Sequence, residues 1–473
     1  MFLPNLTRPC KVFFYCFWAL LFALLLYYTV TLPLHYDETW TYYNFTSRGI
    51  KVSATFYPLP NNHILFSVLT AVMEHFPGDP KIKMRLISVC SAVLLNVLFV
   101  RFASRYYKEQ VIILPAVLLA FSHPMLNYAV QARGYALLTL MVWLMFMAIV
   151  ALLEKRQIFR NSLLYIISVC GVLYTIPSGV YAIFAANVAL YLLLIFRREK
   201  ALIVRFTICN LLAGMGTYLL YRPVLKLNGT DAFSHVVHLS KAELLPKVNT
   251  HLISVAKWMV GMPWGMSFLL VVILAVAVLG ATEKRAMNRT FDWFVVVFLL
   301  SPFFILLLHR VIPFERTWIY LVPFVSLGLM AILDRALIKI TSANGFVLTT
   351  IIALSVCCIF LLNNAFFKAF RAEHDCDFAI ANAFANIPHT PDAHKIGVLD
   401  WGQDPYSYYT GERLQYELLH KDKIRTDVTV LNKEQLATFD WLIIKDKKAQ
   451  DSLTFGNFTT IDSNRYFELL KRN

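Results

Sequence analysis

The residues best placed to do chemistry sit between long apolar runs. In His35-Tyr36-Asp37-Glu38, two adjacent carboxylates follow a run of about twenty apolar residues and neighbour Trp40, Tyr42 and Tyr43. A carboxylate near low-dielectric surroundings tends to have a raised pKa and can take a proton from a nucleophile. The same pair also fits two solvated charges at a helix end. Pro58-Leu59-Pro60-Asn61-Asn62-His63 opens a short apolar stretch. There His63 could bind a sugar hydroxyl, a phosphate or a metal, or simply belong to a helix start. Gln131-Ala132-Arg133-Gly134-Tyr135 and Pro313-Phe314-Glu315-Arg316-Thr317-Trp318 each put an arginine where an apolar run begins. A guanidinium fork matches a phosphate, although snorkelling to lipid headgroups is an alternative and Glu315 could neutralise Arg316. His235 and His238 have the spacing of two ligands on one helical turn, with no third ligand indicated.

These residues are positioned by membrane-length segments. Apolar runs predict eleven transmembrane helices, over 12–32, 85–103, 110–126, 135–153, 161–176, 179–196, 201–221, 264–281, 291–308, 317–333 and 345–363. With the N-terminus in the cytoplasm, the loops bearing Arg101, Arg105, Lys108, Lys155, Arg156, Arg197, Arg198, Lys284, Arg285 and Arg335 all fall inside. That is the bias expected of cytoplasmic loops. Two longer outer segments result, 33–84 and 222–263. The stretch from Asn62 to Phe76 is too short to span comfortably and reads as a helix in the interface, and 222–263 has room for one amphipathic helix. From 365 to 473 charges are spread throughout. Lys395–Leu399 and Trp441–Ile444 read as short buried strands, 367–386 and 433–438 as helical, so a small α/β domain outside the membrane is expected. Asp400, Trp401 and Asp404 are its most distinctive cluster and read as a strand-end turn or a sugar contact.

Composition agrees. Of 473 residues, 58% are hydrophobic and 15% charged, which a soluble chain could not bury. The formal net charge of +15 is explained by the basic loops, and no basic tract with interleaved aromatics argues for nucleic acid. No CxxC pair is visible among the eight cysteines, and no P-loop, GxSxG or HExxH signature appears.

Taken in order, these segments resemble the GT-C superfamily of membrane glycosyltransferases, in the branch of protein O-mannosyltransferases and lipid A aminoarabinose transferases. The resemblance covers about 12–365. It rests on Asp37-Glu38 in the first outer loop, Pro60 to His63 at the interfacial helix, Lys83-Met84-Arg85-Leu86 leading into the second span, Ala132-Arg133-Gly134-Tyr135, and Pro313-Phe314-Glu315-Arg316. Where relatives commonly carry His-Pro-Pro-Leu, this chain has Pro-Asn-Asn-His.

The resemblance implies a GT-C-like polytopic α-helical membrane domain, 1–364, and an extracytoplasmic α/β domain, 365–473, in a bacterial inner membrane. It implies inverting transfer of a sugar from a polyprenyl-phosphate donor to a protein, glycolipid or polysaccharide acceptor. Asp37 would be the base and Glu38 its assistant. Arg133, Arg316 and Arg85 would hold the donor phosphate, and His63, Asn62 and Tyr135 would contact substrate. No nucleotide cofactor is implied, and a divalent metal is left open. The competing readings are a transporter or lipid flippase and an inactive scaffold. Transporters place ionisable residues near mid-membrane, whereas here charges gather at the outer mouth.

Overall fold

The computed structural model describes residues 3, 5–57, 61–229, 238–337, 347–355, 396–399, 429–430, 440–444, 458–463 and 468–473. Among them, nine helices are long and apolar enough to cross a membrane, and one bent pair makes a tenth. Helix α1 (Arg8–Thr31) is 24 residues long, about 36 Å at 1.5 Å per residue, so it exceeds the hydrocarbon thickness. It leads into α2 (Tyr36–Asn44), α3 (Gly49–Thr55) and the short apolar α4 (Ile64–Met73). Helix α4 lies where the interfacial helix is predicted. The second span, α5 (Pro80–Ala103), starts with Pro80 in its first turn, and the Asp79 side chain accepts from the Lys81 amide at 2.8 Å.

The predicted third span is α6 (Ile113–Phe121) followed by α7 (His123–Ala129), bent by 56°. Pro124 in the first turn of α7 lets a new helix begin there but gives no N–H back to α6. The following spans are α8 (Tyr135–Leu153), α9 (Ile158–Thr175), α10 (Val180–Arg197) and α11 (Lys200–Asn228). Helix α11 runs past the predicted end at 221, through Pro223, and the Asn228 side chain donates to Thr55 O at 2.8 Å and accepts from the Tyr57 amide at 3.1 Å. Its last turn therefore closes onto the α3–α4 loop. The amphipathic helix of the second long loop is α12 (Lys241–Val260), capped by Ser240 and Glu243. Spans α13 (Gly265–Thr282) and α14 (Ala286–His309) follow, then a 3-10 turn, Glu315–Leu321, that runs into α15 (Val322–Ala336). Residues 347–355 are helical; the rest of the predicted eleventh span lies outside the described residues.

Helix α8 and the Glu315–Ala336 span are mostly buried and form the centre of the bundle, whereas α11 and α13 are mostly uncovered and lie on its rim. Trp143, Phe146, Phe298 and Phe324 interlock at this centre. At the end opposite the α1–α2 turn, Arg285 pairs with Glu283 at 3.0 Å and with Asp334, and Arg335 pairs with Glu283 at 3.0 Å and Asp292 at 2.5 Å. Two of the loop arginines counted in the sequence thus tie α13, α14 and α15 together.

The described part of the tail is a five-stranded sheet of order β2-β1-β3-β5-β4, from β1 (Ile396–Leu399), β2 (Thr429–Val430), β3 (Trp441–Ile444), β4 (Phe458–Ser463) and β5 (Glu468–Arg472). Strand β1 pairs in parallel with β2 and β3, and β5 runs antiparallel to β3 and β4. Both strands predicted here are present. The predicted helices 367–386 and 433–438, and Asp400, Trp401 and Asp404, lie outside the described residues.

Candidate active site

The His35–Glu38 segment is first of all a helix start. The Glu38 carboxylate accepts from the His35 amide at 2.7 Å, and His35 Nδ1 accepts from the Asp37 amide at 3.2 Å, so α2 begins with a reciprocal cap. Consecutive residues on a helix point about 100° apart. Glu38 therefore turns inward while Asp37 faces elsewhere.

Glu38 is fully buried and meets Arg85 in a two-pronged pair, Nε to Oε1 at 2.8 Å and a terminal nitrogen to Oε2 at 2.6 Å. The Ala132 amide also donates to Oε1, at 2.5 Å. With the His35 amide, all four acceptor positions of the carboxylate are filled. Arg85 is equally occupied. Its remaining N–H groups donate to Thr29 O at 3.1 Å, Leu32 O at 2.9 Å and Pro33 O at 2.6 Å. Five donors meet five acceptors, leaving none for a phosphate. Both expectations are corrected: Glu38 is not an assistant in the cavity, and Arg85 is not a phosphate ligand. The pair joins the end of α1, the start of α2, α5 and the turn before α8. Burial works against the Glu38 anion, but Arg85 and the backbone amides hold its pKa below the ordinary value.

Asn62 is corrected in the same way. It is 1% exposed, donates to Ser53 O at 3.0 Å and Phe56 O at 2.9 Å, and accepts from Ser67 at 2.8 Å. Its amide locks the α3–α4 loop and does not reach a substrate.

The other expected residues come together. Asp37 Oδ2 lies 3.6 Å from Arg133 and 3.6 Å from Arg316. These separations give Coulomb attraction without tight hydrogen bonds to the carboxylate; the terminal nitrogens of Arg133 donate instead to Thr41, to Asn61 and, at 3.4 Å, to Asp37 O. The Nε–H of Arg133 and that of Arg316 are both buried, with no hydrogen-bond partner among the described residues. Such groups are costly unless something occupies them. Arg316 lines a cavity of about 340 Å³ together with Asp37, His35, Asn127, Gln131 and Trp258. Its guanidinium lies 4.5 Å from the Phe314 ring and 5.9 Å from that of Tyr135. Arg133 stands behind Asp37, 2% exposed, donating to Thr41 at 3.2 Å and to the Asn61 side chain. Burial raises the Asp37 pKa, but Arg133, His35 and Arg316, with the Asn61 hydrogen bond, outweigh it and hold the carboxyl below its usual value. The raised pKa expected from sequence is reversed, because the sequence does not show two arginines converging on one oxygen.

His63 begins α4 and packs edge-on to Tyr135, ring centroids 4.8 Å apart. Its Nδ1 accepts from the Gly134 amide at 2.8 Å, which puts the neutral ring's proton on Nε2, the atom 3.4 Å from Arg133. Burial, then Arg133 and Arg316, push its pKa well below the ordinary histidine value, so the ring is neutral. A Cβ on Gly134 would come within 2.9 Å of both His63 Cβ and Thr175 Cγ2. Gly134→Ala is expected to lose about 1–3 kcal/mol of stability by overpacking, read as a lowered thermal midpoint in detergent. An unchanged midpoint would show that α4 and α8 do not meet this closely.

Sequence reasoning missed Asn61, Thr41, Asn127, Tyr128, Gln131 and Trp258. Gln131 donates to Asn127 Oδ1 at 2.6 Å across four residues, a spacing that could have paired them. Nothing local connects Trp258 or Asn61 to Asp37. His235 lies outside the described residues, and His238 bonds His309 O at 3.2 Å. Among the described residues no group of three His, Cys, Asp or Glu side chains could hold a metal ion.

No protein-family model matches the chain, and no curated protein matches it in sequence. Among solved structures it superposes on ArnT from Cupriavidus metallidurans. In the apo state the TM-score is 0.59 at 11% identity, covering 97% of this chain and 98% of that one. Bound to undecaprenyl phosphate the TM-score is 0.60 at 11% identity, covering 98% of each. At this identity the likeness is one of fold. It is the fold that the GT-C resemblance leads one to expect.

Proposed function

We propose that this chain is a membrane glycosyltransferase that takes sugar from a polyprenyl-phosphate carrier at the non-cytoplasmic face. The observation that carries it is Asp37 between two guanidiniums, each with a buried Nε–H that has no partner among the described residues, with Asp37 and Arg316 lining a cavity at one end of an apolar helix bundle. Such a site pairs a base with a cation in the cavity, Arg316, for a leaving phosphate, and a second cation, Arg133, adds to the positive field from behind. Undecaprenyl phosphate, the ligand of the superposed ArnT, is the lipid class these groups suit.

Arg316, which lines the cavity, is the first to grip the phosphate, and Arg133 holds Asp37 in place from behind. Tyr135 supports Arg316 through its ring, and His63 packs between Tyr135 and Arg133. Without donor, the arginines keep Asp37 ionised and weakly basic. A bound phosphate neutralises them, the Asp37 pKa rises, and the carboxylate becomes a better base for an acceptor hydroxyl. Attack on the anomeric carbon from the face opposite its bond to the phosphate inverts the configuration. The hydroxyl proton goes to Asp37 and the polyprenyl phosphate leaves with the bonding electrons.

The basic loops support an orientation in a bacterial inner membrane with the N-terminus and the Arg285–Arg335 network on the cytoplasmic side. The catalytic end and the tail domain, 365–473, then face outward.

The test incubates purified protein with radiolabelled polyprenyl-phosphate sugars and membrane extract, following label into product. Arg316→Ala is expected to cut the rate about 10²-fold, as loss of one charge-stabilising donor does. Wild-type protein that transfers no label from any donor, or an Arg316→Ala protein as fast as wild type, would exclude this reading.

A further inference from the structure

The cavity beside Asp37 has a neighbour. A second space, of about 580 Å³, is lined by Lys247, Thr250, His251, Ser254, Ile312 and Glu315. Glu315 is common to both cavities, and its Oε1 accepts from the Ser254 hydroxyl at 2.8 Å. Lys247, Thr250, His251 and Ser254 follow the i, i+3, i+4, i+7 spacing of one helix face. One turn further along the same face stands Trp258, which lines the catalytic cavity. A single stripe of α12 thus runs from the outer space to the reacting centre, and Glu315 marks where the two meet.

Resting on the glycosyltransferase reading, we propose that this second cavity is an acceptor subsite for a saccharide, which α12 leads past Glu315 so that a hydroxyl reaches Asp37. The lining fits that chemistry. The Thr250 hydroxyl donates to Pro246 O at 3.0 Å and that of Ser254 to Glu315, so each oxygen keeps lone pairs to accept from a sugar hydroxyl. His251 Nε2 accepts from Trp318 at 3.0 Å, so its neutral ring carries the proton on Nδ1. Leu239, Pro246 and Ile312 supply apolar wall for the C–H faces of sugar rings. Among the described residues that line it, the one cation, Lys247, is already paired with Glu243 at 3.0 Å, and no arginine is present. The cavity is therefore suited to neutral hydroxyls and not to a second phosphate. Its volume lies in the usual range for small-molecule sites. The saccharide could belong to a free envelope glycan or to a glycolipid headgroup, which share this chemistry.

The test uses full-length protein in nanodiscs and a radiolabelled polyprenyl-phosphate sugar. The acceptors, in separate arms, are lipid-free envelope oligosaccharide, glycolipid in mixed micelles, and delipidated membrane protein. Thr250→Trp places an indole in the outer cavity. It is expected to raise the acceptor KM by about tenfold or more while leaving the donor KM unchanged, the signature of lost acceptor binding. Asn249→Trp, on an exposed face of α12 away from the stripe, serves as the control and should change neither. The responding arm, oligosaccharide or glycolipid, identifies the source. An unchanged acceptor KM in Thr250→Trp, or label entering protein alone, overturns the subsite. Failure of wild-type protein to consume donor in every arm would instead sink the glycosyltransferase reading, and the subsite with it.

Discussion

Asp37→Asn protein should fold, should still bind undecaprenyl phosphate, and should form product about 10³-fold more slowly than wild type, the scale of a lost general base. The fold is expected to survive because the substitution keeps the side chain's size and leaves the Glu38–Arg85 pair untouched. The lipid is expected to bind at least as tightly. Asp37 now shares the field of Arg133 and Arg316 at 3.6 Å each, and removing its charge leaves both cations to the phosphate. Loss of turnover with retained or tighter lipid binding distinguishes a base from a phosphate ligand. The pH dependence of the wild type carries the same signature. A depressed carboxylate pKa keeps the base ionised until pH falls through that value, so kcat/KM, which reports the free enzyme, should hold down to low pH. The acid limb of kcat, which reports the donor complex, should lie at higher pH because bound phosphate relieves the depression. Turnover by Asp37→Asn within a few-fold of wild type, or coincident acid limbs, would remove Asp37 from this role.

The second large effect is on folding. Arg85→Ala should destabilise the protein by about 3–5 kcal/mol, because it strands a buried carboxylate without its partner. It also removes the Arg85 donor from the carbonyls of Thr29 and Pro33, and leaves Leu32 O with only Lys81 Nζ at 3.3 Å. Glu38→Ala should act similarly, by stranding Arg85. Either variant would yield little detergent-stable protein, with a lowered thermal midpoint in what remains. Combining the two should cost less than the sum, since neither then leaves an unpaired charge. Normal yield and normal midpoint in Arg85→Ala, with weakened lipid binding, would return Arg85 to the phosphate site.

These two predictions separate neighbours that look alike in the sequence. Asp37 and Glu38 are adjacent acids after the same apolar run, and Arg85, Arg133 and Arg316 all stand at the start of a span. Whether a residue is staple or site depends on which side of its helix it occupies and on what arrives there from 50 to 280 residues away. Local pattern holds no record of either. Asn62 and Asn61 repeat the lesson: one bonds the α3–α4 loop, the other accepts from Arg133.

The order and approximate ends of the first ten spans were legible in the sequence, although the bend in the third and the extension of α11 to Asn228 were not. Also legible were the short helix after His63, the amphipathic α12 and the strands β1 and β3. Each is a local property: apolar length must match bilayer thickness, and periodicity must match the helix or the strand. The gathering of Asp37, Arg133, Arg316 and His63 at one end was legible too, since every one lies where a span or helix begins at that end. Tertiary structure alone decided that Glu38 and Arg85 satisfy each other, that two guanidiniums reverse the direction of the Asp37 pKa, and that one face of α12 joins two cavities. Those are pairwise distances across the chain, and electrostatic energy depends on such distances rather than on sequence neighbourhood.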